Sequence, residues 1–190
     1  APSVGSYTLV DSTPTVKSYA DLSAKKLVVS IRGTRPTAAM DISAVYSLVH
    51  GGNLVSSDRY KMDRESILLV KHRFPGFSVY ATGHSLGGAI ADLLIKEGVV
   101  ESATTFNPAV EIFNEQSSKN RRIYKEGDPL LNLLQIGAPS IAETVEIRKN
   151  PQPHRILPPL LPTVILDKLA AHRLTDFHGD VVHEGRNRRY

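Results

Sequence analysis

The chain has 190 residues, enough for one domain with a sizeable core, and its 41% apolar and 22% charged residues exclude a disordered or collagen-like class. It has no cysteine, which removes disulfides, thiol catalysis and thiolate metal sites and leans slightly toward a reducing compartment. The formal charge of +4 comes with no Trp and only five Phe, without basic runs interleaved with aromatics, so nucleic acid is not an expected partner.

No apolar run approaches the roughly 20 residues of a membrane span. The start, "APSVGSYTLVDSTPT", has neither the basic nor the apolar region of a signal peptide and lacks an initiator Met, so a processed chain or a domain of a larger polyprotein is expected. No compartment follows from this. We expect a single domain over 1–190, with flexible ends at 1–14 and 184–190, the latter containing the basic "EGRNRRY".

Strand-like and helix-like segments then alternate, the pattern of an α/β domain with a mostly parallel sheet flanked by helices. "TVKSYADL" and "KKLVVSIRG" read as strands, and Leu27 to Ile31 is apolar enough for the sheet centre. From Asp41, the spacing of Ile42, Val45, Tyr46 and Val49 predicts a helix stopped by "HGGN". A second helix is predicted from an Asp58 cap to about Arg73, before Pro75 and Gly76. "FSVYA" reads as a strand, followed by a helix whose Leu86, Ala89, Ile90, Leu93 and Leu94 share one face. "SATTF", closed by Asn107 and Pro108, and "RRIY", ended by "KEGDP", are further strands. "NPQPHRILPPLLP" holds five prolines and excludes regular helix or central strand, and the helix "TVILDKLAAHRL" is predicted after it.

Between the "FSVYA" strand and its helix lies "GHSLG", which matches G-x-S-x-G in the strand-to-helix context that motif requires. A nucleophile at such a site stands on a sharp, strained turn, and Gly83, Gly87 and Gly88 remove the Cβ atoms that would obstruct it. The competing reading is a glycine-rich turn that cradles phosphate or merely packs. A serine hydroxyl also needs a base, and the base an acid to hold its tautomer, in the order Ser, Asp or Glu, His. His50 and His72 precede Ser85, and His84 adjoins it on a tight turn and reads as a packing residue. His154, His172, His178 and His183 remain. Asp128 is the best-placed acid: Gly127 permits a turn out of the "RRIY" strand, and Pro129 holds Asp128 extended at the strand end. Asp92 sits inside the helix, too constrained to reach.

Four segments in order, "LVVSIRGT", "VYATGHSLGGAIA", "IYKEGDPL" and "AAHRLTDF", resemble the class 3 lipases, the fungal-lipase-like branch of the α/β-hydrolases. The resemblance implies Ser85 as nucleophile, Asp128 as acid and His172 as base, with His178 as rival six residues on. It implies an oxyanion hole from the backbone N–H groups of Thr34 and Leu86. The family's aromatic-rich lid is replaced by "RPTAAMD", so a compact α/β-hydrolase fold with a reduced lid is expected.

The activity implied is hydrolysis of lipid or other hydrophobic carboxylic esters through an acyl-enzyme, as a lipase, phospholipase A1 or esterase. No metal or organic cofactor is needed. Leu157, Leu160, Leu161 and Ile165, in the proline-rich stretch between acid and base, are candidate substrate contacts and would touch a lipid or membrane surface peripherally; proline-stiffened packing over the sheet is the plainer reading. The alternative for the whole chain is an inactive lipase-like fold that binds lipid or protein.

Overall fold

The computed structural model describes residues 1–35, 39–41, 43–44, 53–111, 115–128, 130 and 145–149, and the backbone of 181–184. The described strands form one sheet in chain order: β1 (Ser3–Val4), β2 (Tyr7–Ser12), β3 (Val16–Asp21), β4 (Lys26–Ile31), β5 (Ser78–His84), β6 (Ser102–Phe106), β7 (Asn120–Lys125), β8 (Val145–Arg148) and β9 (Val181–Glu184). Strands β4 to β8 are parallel, while β1 to β4 form an antiparallel meander and β9 runs antiparallel to β8. The sheet is thus mixed, with its parallel strands in the middle.

Two helices fill the first two parallel crossovers: α1 (Asp58–Arg73) between β4 and β5, and α2 (Leu86–Lys96) between β5 and β6. Because right-handed crossovers in a monotonic strand order place successive helices on one side, both pack on the same face. The core lies there. Leu27, Val29, Ile31, Val79, Ala81 and Ala103 point from the sheet into a cluster with Tyr60, Ile67 and Val70 of α1 and the apolar residues of α2. The alternate strand positions, among them Val28, Ser30, Tyr80, Thr82 and Thr104, are only half-buried.

Several expectations need correction. Residues 1–14, expected as a flexible end, carry β1 and β2. They are held by ladder pairing, and the Ser6 hydroxyl donates to Asp21 at 2.5 Å. The cap of α1 is Ser57, whose hydroxyl accepts from the Tyr60 amide at 3.2 Å, while Asp58 sits in the first turn where the helix dipole favours a carboxylate. Helix α2 is not one-sided, since every residue from Leu86 to Ile95 is buried. Asp92 fits that helix because it pairs with the buried Arg122 of β7 at 2.5 Å and accepts from the Asn120 side chain at 3.1 Å. Around the helix expected from Asp41, residues 39–41 and 43–44 are helical; its remainder, residues 36–38 of "RPTAAMD", the proline-rich stretch, the following helix and residues 185–190 lie outside the described residues.

Candidate active site

The register sets which ends meet. Ile31 pairs with Gly83, His84 with Phe106 and Phe106 with Ile123, so parallel β4, β5, β6 and β7 finish along one edge of the sheet. The segments 32–35, 85–86, 107–109 and 126–128 leave from that edge. Three of the four carry a residue singled out by the sequence.

Ser85 follows β5 with φ 54 and ψ −121, and begins α2 at its next residue. A side chain with a Cβ holds this conformation at a cost of about 1–3 kcal/mol, so its surroundings must impose it. They do so by hydrogen bonds: the Ser85 amide donates to the Phe106 carbonyl at 3.3 Å, and its own carbonyl accepts from Gly88 at 2.9 Å and Ala109 at 2.9 Å. The glycines act by volume rather than by φ, since none of the three has a positive φ. A Cβ on Gly83 would strike the Gly87 backbone, one on Gly87 the Ile31 carbonyl, and one on Gly88 the Pro108 ring, all closer than 3.0 Å. The glycines let the turn close tightly; the serine itself carries the strain.

Leu86, wholly buried, opens α2, where the first amides have no partner within the helix. Gly33 reaches the turn from the other side: a Cβ there would lie 3.0 Å from the His84 carbonyl and 3.4 Å from the Ser85 Cβ. Thr34 is the next residue on the same loop. A cleft of about 570 Å³ opens here, with Arg32, Gly33, Thr34, Thr82, His84 and Phe106 on its walls. His84, read as a packing residue, is half-buried on the cleft wall.

On the far side of β6, Gly127 turns the chain with φ 84, and Asp128 is 2% exposed. Its Oδ1 accepts from the Leu130 amide at 2.7 Å, and its amide donates to the Lys125 carbonyl at 3.1 Å. Two residues not singled out in the sequence as part of the site hold this side against the serine side. Asn107, at φ 41, donates its amide to the Ile123 carbonyl at 2.8 Å and accepts from the Lys125 amide through its side chain at 2.9 Å. Tyr124, fully buried, donates its hydroxyl to the Pro108 carbonyl at 2.8 Å. Burial pushes this phenol above its ordinary range, and the carboxylates of Asp128 and Asp92 push the same way against Arg122. The signal for Asn107 was mixed: asparagine tolerates left-handed backbone, but the proline that follows it argues for an extended one.

The structure therefore brings Ser85, Leu86, Thr34 and Asp128 to one edge of the sheet. His154, His172 and His178 lie outside the described residues, as do Leu157, Leu160, Leu161 and Ile165. His183 falls on β9, four strands from β5 and so about 19 Å across the sheet. Among the described residues no cluster of metal-binding side chains occurs, and no helix is long and apolar enough to cross a membrane.

Comparison with curated proteins returned no match. Among solved structures, the chain is similar to the Lip2 lipase of Yarrowia lipolytica at 20% identity and a TM-score of 0.42, over 67% of this chain and 62% of that one. It is similar to a lipase of Rhizopus microsporus var. chinensis at 16% identity and a TM-score of 0.41, over 80% and 64%. The triacylglyceride lipase of Rhizomucor miehei gives 16% identity and a TM-score of 0.39, over 76% and 66%. The chain thus spans less than two thirds of the length of these lipases. Over residues 43–114, the stretch that holds α1, β5, the Ser85 turn, α2 and β6, the chain matches the lipase (class 3) family.

Proposed function

We propose that the chain is a serine carboxylic-ester hydrolase acting on lipid or other hydrophobic esters, in the manner of a lipase, phospholipase A1 or esterase. The observation that carries this reading is Ser85 at φ 54 and ψ −121 between β5 and α2, a strained backbone that places a hydroxyl at the end of a central strand. A phosphate cradle would need the amides there but not that strain at a serine.

In this reading Ser85 Oγ attacks the ester carbonyl while His172 takes its proton. Asp128 holds the imidazole in the required tautomer and stabilises its protonated form. The Thr34 and Leu86 amides face the oxyanion of the tetrahedral intermediate, a contribution of about 3 kcal/mol per donor. Collapse expels the alcohol, which receives the proton from His172 and leaves an acyl-Ser85. Water activated by the same histidine then releases the acid. Leu157, Leu160, Leu161 and Ile165 form the acyl-binding wall or lipid-contacting rim, and their place between acid and base in the chain is what supports this.

The test is turnover of p-nitrophenyl esters and phospholipids by the intact chain and its variants. Ser85→Ala and His172→Ala are each expected to lower kcat roughly 10⁴-fold or more. His178→Ala is expected to leave it within about tenfold, and the reverse order of the two histidines would move the base to His178. Replacing Leu160 and Leu161 together with Ser is expected to reduce activity on aggregated lipid more than on a soluble short-chain ester; equal loss on both would remove the rim.

A further inference from the structure

Beneath the cleft lies a buried set of charges that the steps above do not use. Arg59 of α1 is wholly buried, and its guanidinium is divided among three acceptors: Nε donates to Asp63 Oδ2 at 2.8 Å, Nη1 to Asp41 Oδ1, and Nη2 to the carbonyl of Arg32 at 2.6 Å. Asp41 is 1% exposed; its other oxygen accepts from the Arg35 amide at 2.7 Å and from Arg32 Nη2 at 3.0 Å. Arg32 in turn donates through Nη1 to the Gly33 carbonyl at 2.8 Å and through Nε to the Pro14 carbonyl at 3.1 Å. Asp63 closes the set by accepting from the Thr15 hydroxyl at 2.5 Å.

Two guanidiniums and two carboxylates balance in charge, yet a buried ion cluster is a weak stabiliser because desolvation offsets the attraction. What a guanidinium provides better than any other cation is a planar fork of fixed donors. Here the fork ends on one short loop. The peptide groups on both sides of Thr34 are held: the Gly33 carbonyl by Arg32, the Arg35 amide by Asp41. The Gly33 carbonyl and the Thr34 N–H belong to the same peptide, and in a trans peptide they point in opposite directions. Anchoring that carbonyl on Arg32 therefore aims the Thr34 N–H.

We propose that Arg59 is a positioning residue that sets the Thr34 oxyanion donor, directly through the Arg32 carbonyl and indirectly through Asp41 and the Arg32 side chain. The inference rests on the hydrolase reading above, and it assigns to α1, which touches no reacting atom, a part in the height of the catalytic barrier. Burial pushes the Asp41 carboxyl up, but the Arg35 amide and the Arg59 guanidinium outweigh it and keep the group below its ordinary range. The anchor thus stays charged where esters are turned over.

A p-nitrophenyl ester and its thionoester, with sulfur replacing the carbonyl oxygen, separate this role from a structural one. Sulfur is a poor acceptor for an oxyanion hole, so the ratio of kcat/KM for ester over thionoester reports the aim of the donors and does not depend on how much protein is folded. Arg59→Lys keeps the charge but cannot reach all three acceptors. It is expected to lower kcat/KM for the ester by roughly 10- to 100-fold, less than the loss of a donor outright, with little change for the thionoester, so that the ratio falls. Asp63→Asn, which leaves Arg59 in place but replaces its charged Nε anchor by a weaker neutral acceptor, is expected to shift the ratio in the same direction by less, and serves if Arg59→Lys does not fold. Parallel losses on both substrates, with the ratio unchanged in a folded variant, would overturn the proposal and leave the hydrolase reading standing. A folded wild-type protein that turns over neither substrate would remove that reading and the proposal with it.

Discussion

At the scale of single residues, the account turns on a division of labour within "GHSLGG". The glycines relieve contact and the serine bears the strain. This gives two opposite expectations. Ser85→Gly removes the Cβ from a left-handed backbone and should raise stability by about 1 kcal/mol, read as a higher Tm, while abolishing ester turnover. Gly87→Ala, by contrast, drives a methyl into the Ile31 carbonyl and should lower stability by about 1–3 kcal/mol in denaturant unfolding. Asp21 offers a titration. Hydrogen bonds from Ser6, the Ala24 amide and Ser23 hold its carboxyl down to about 2 from an ordinary 3.8. Because its folded value lies below its unfolded one, its stabilising effect is complete above 3.8 and is lost as pH falls toward about 2. Thermal unfolding across that range should show Asp21→Asn lacking part of the wild-type acid sensitivity.

At the scale of elements, what was legible in the chain was whatever a period could reveal. β4 is an apolar run, β5 and β6 alternate buried and half-buried positions between clear breakers, and β6 matches "SATTF" to the residue. α1 was visible from its stop signals more than from amphipathicity, because its buried set includes Arg59 and Asp63, which a hydrophobic pattern counts as solvent-facing. The same blindness hid why α2 is buried all round: Asp92 looks like the polar side of a surface helix until Arg122 is known to lie against it. Strands β2, β8 and β9 were missed because they are short or mixed in polarity and owe their existence to a neighbouring ladder rather than to local preference. The Asp92–Arg122 pair joins α2 to β7, and so the element that follows the serine to the strand that precedes Asp128. Asp92→Ala would leave the Arg122 guanidinium buried and uncompensated, and should cost about 3–5 kcal/mol in chemical unfolding. An unchanged midpoint and slope would contradict that role.

At the scale of the molecule, parallel strands in chain order collect the ends of β4 to β7 on one edge, so residues nearly a hundred positions apart, from Thr34 to Asp128, stand along that edge. Glycine turns and strand ends leave local marks, which is why Ser85 and Asp128 could be singled out in the sequence, whereas Thr34 and Leu86 came from the resemblance. The network from Arg59 to the Gly33 carbonyl had no such mark, being a pairing of residues distant in the chain. On the hydrolase reading, this edge arms Ser85 as a nucleophile. Mass spectrometry of the intact protein after reaction with an alkyl fluorophosphonate tests it most directly. The account predicts one phosphonyl group per chain, located on Ser85 and absent in Ser85→Ala, whereas a folded protein that remains unlabelled, or is labelled elsewhere, would contradict it and leave the fold as a binding module.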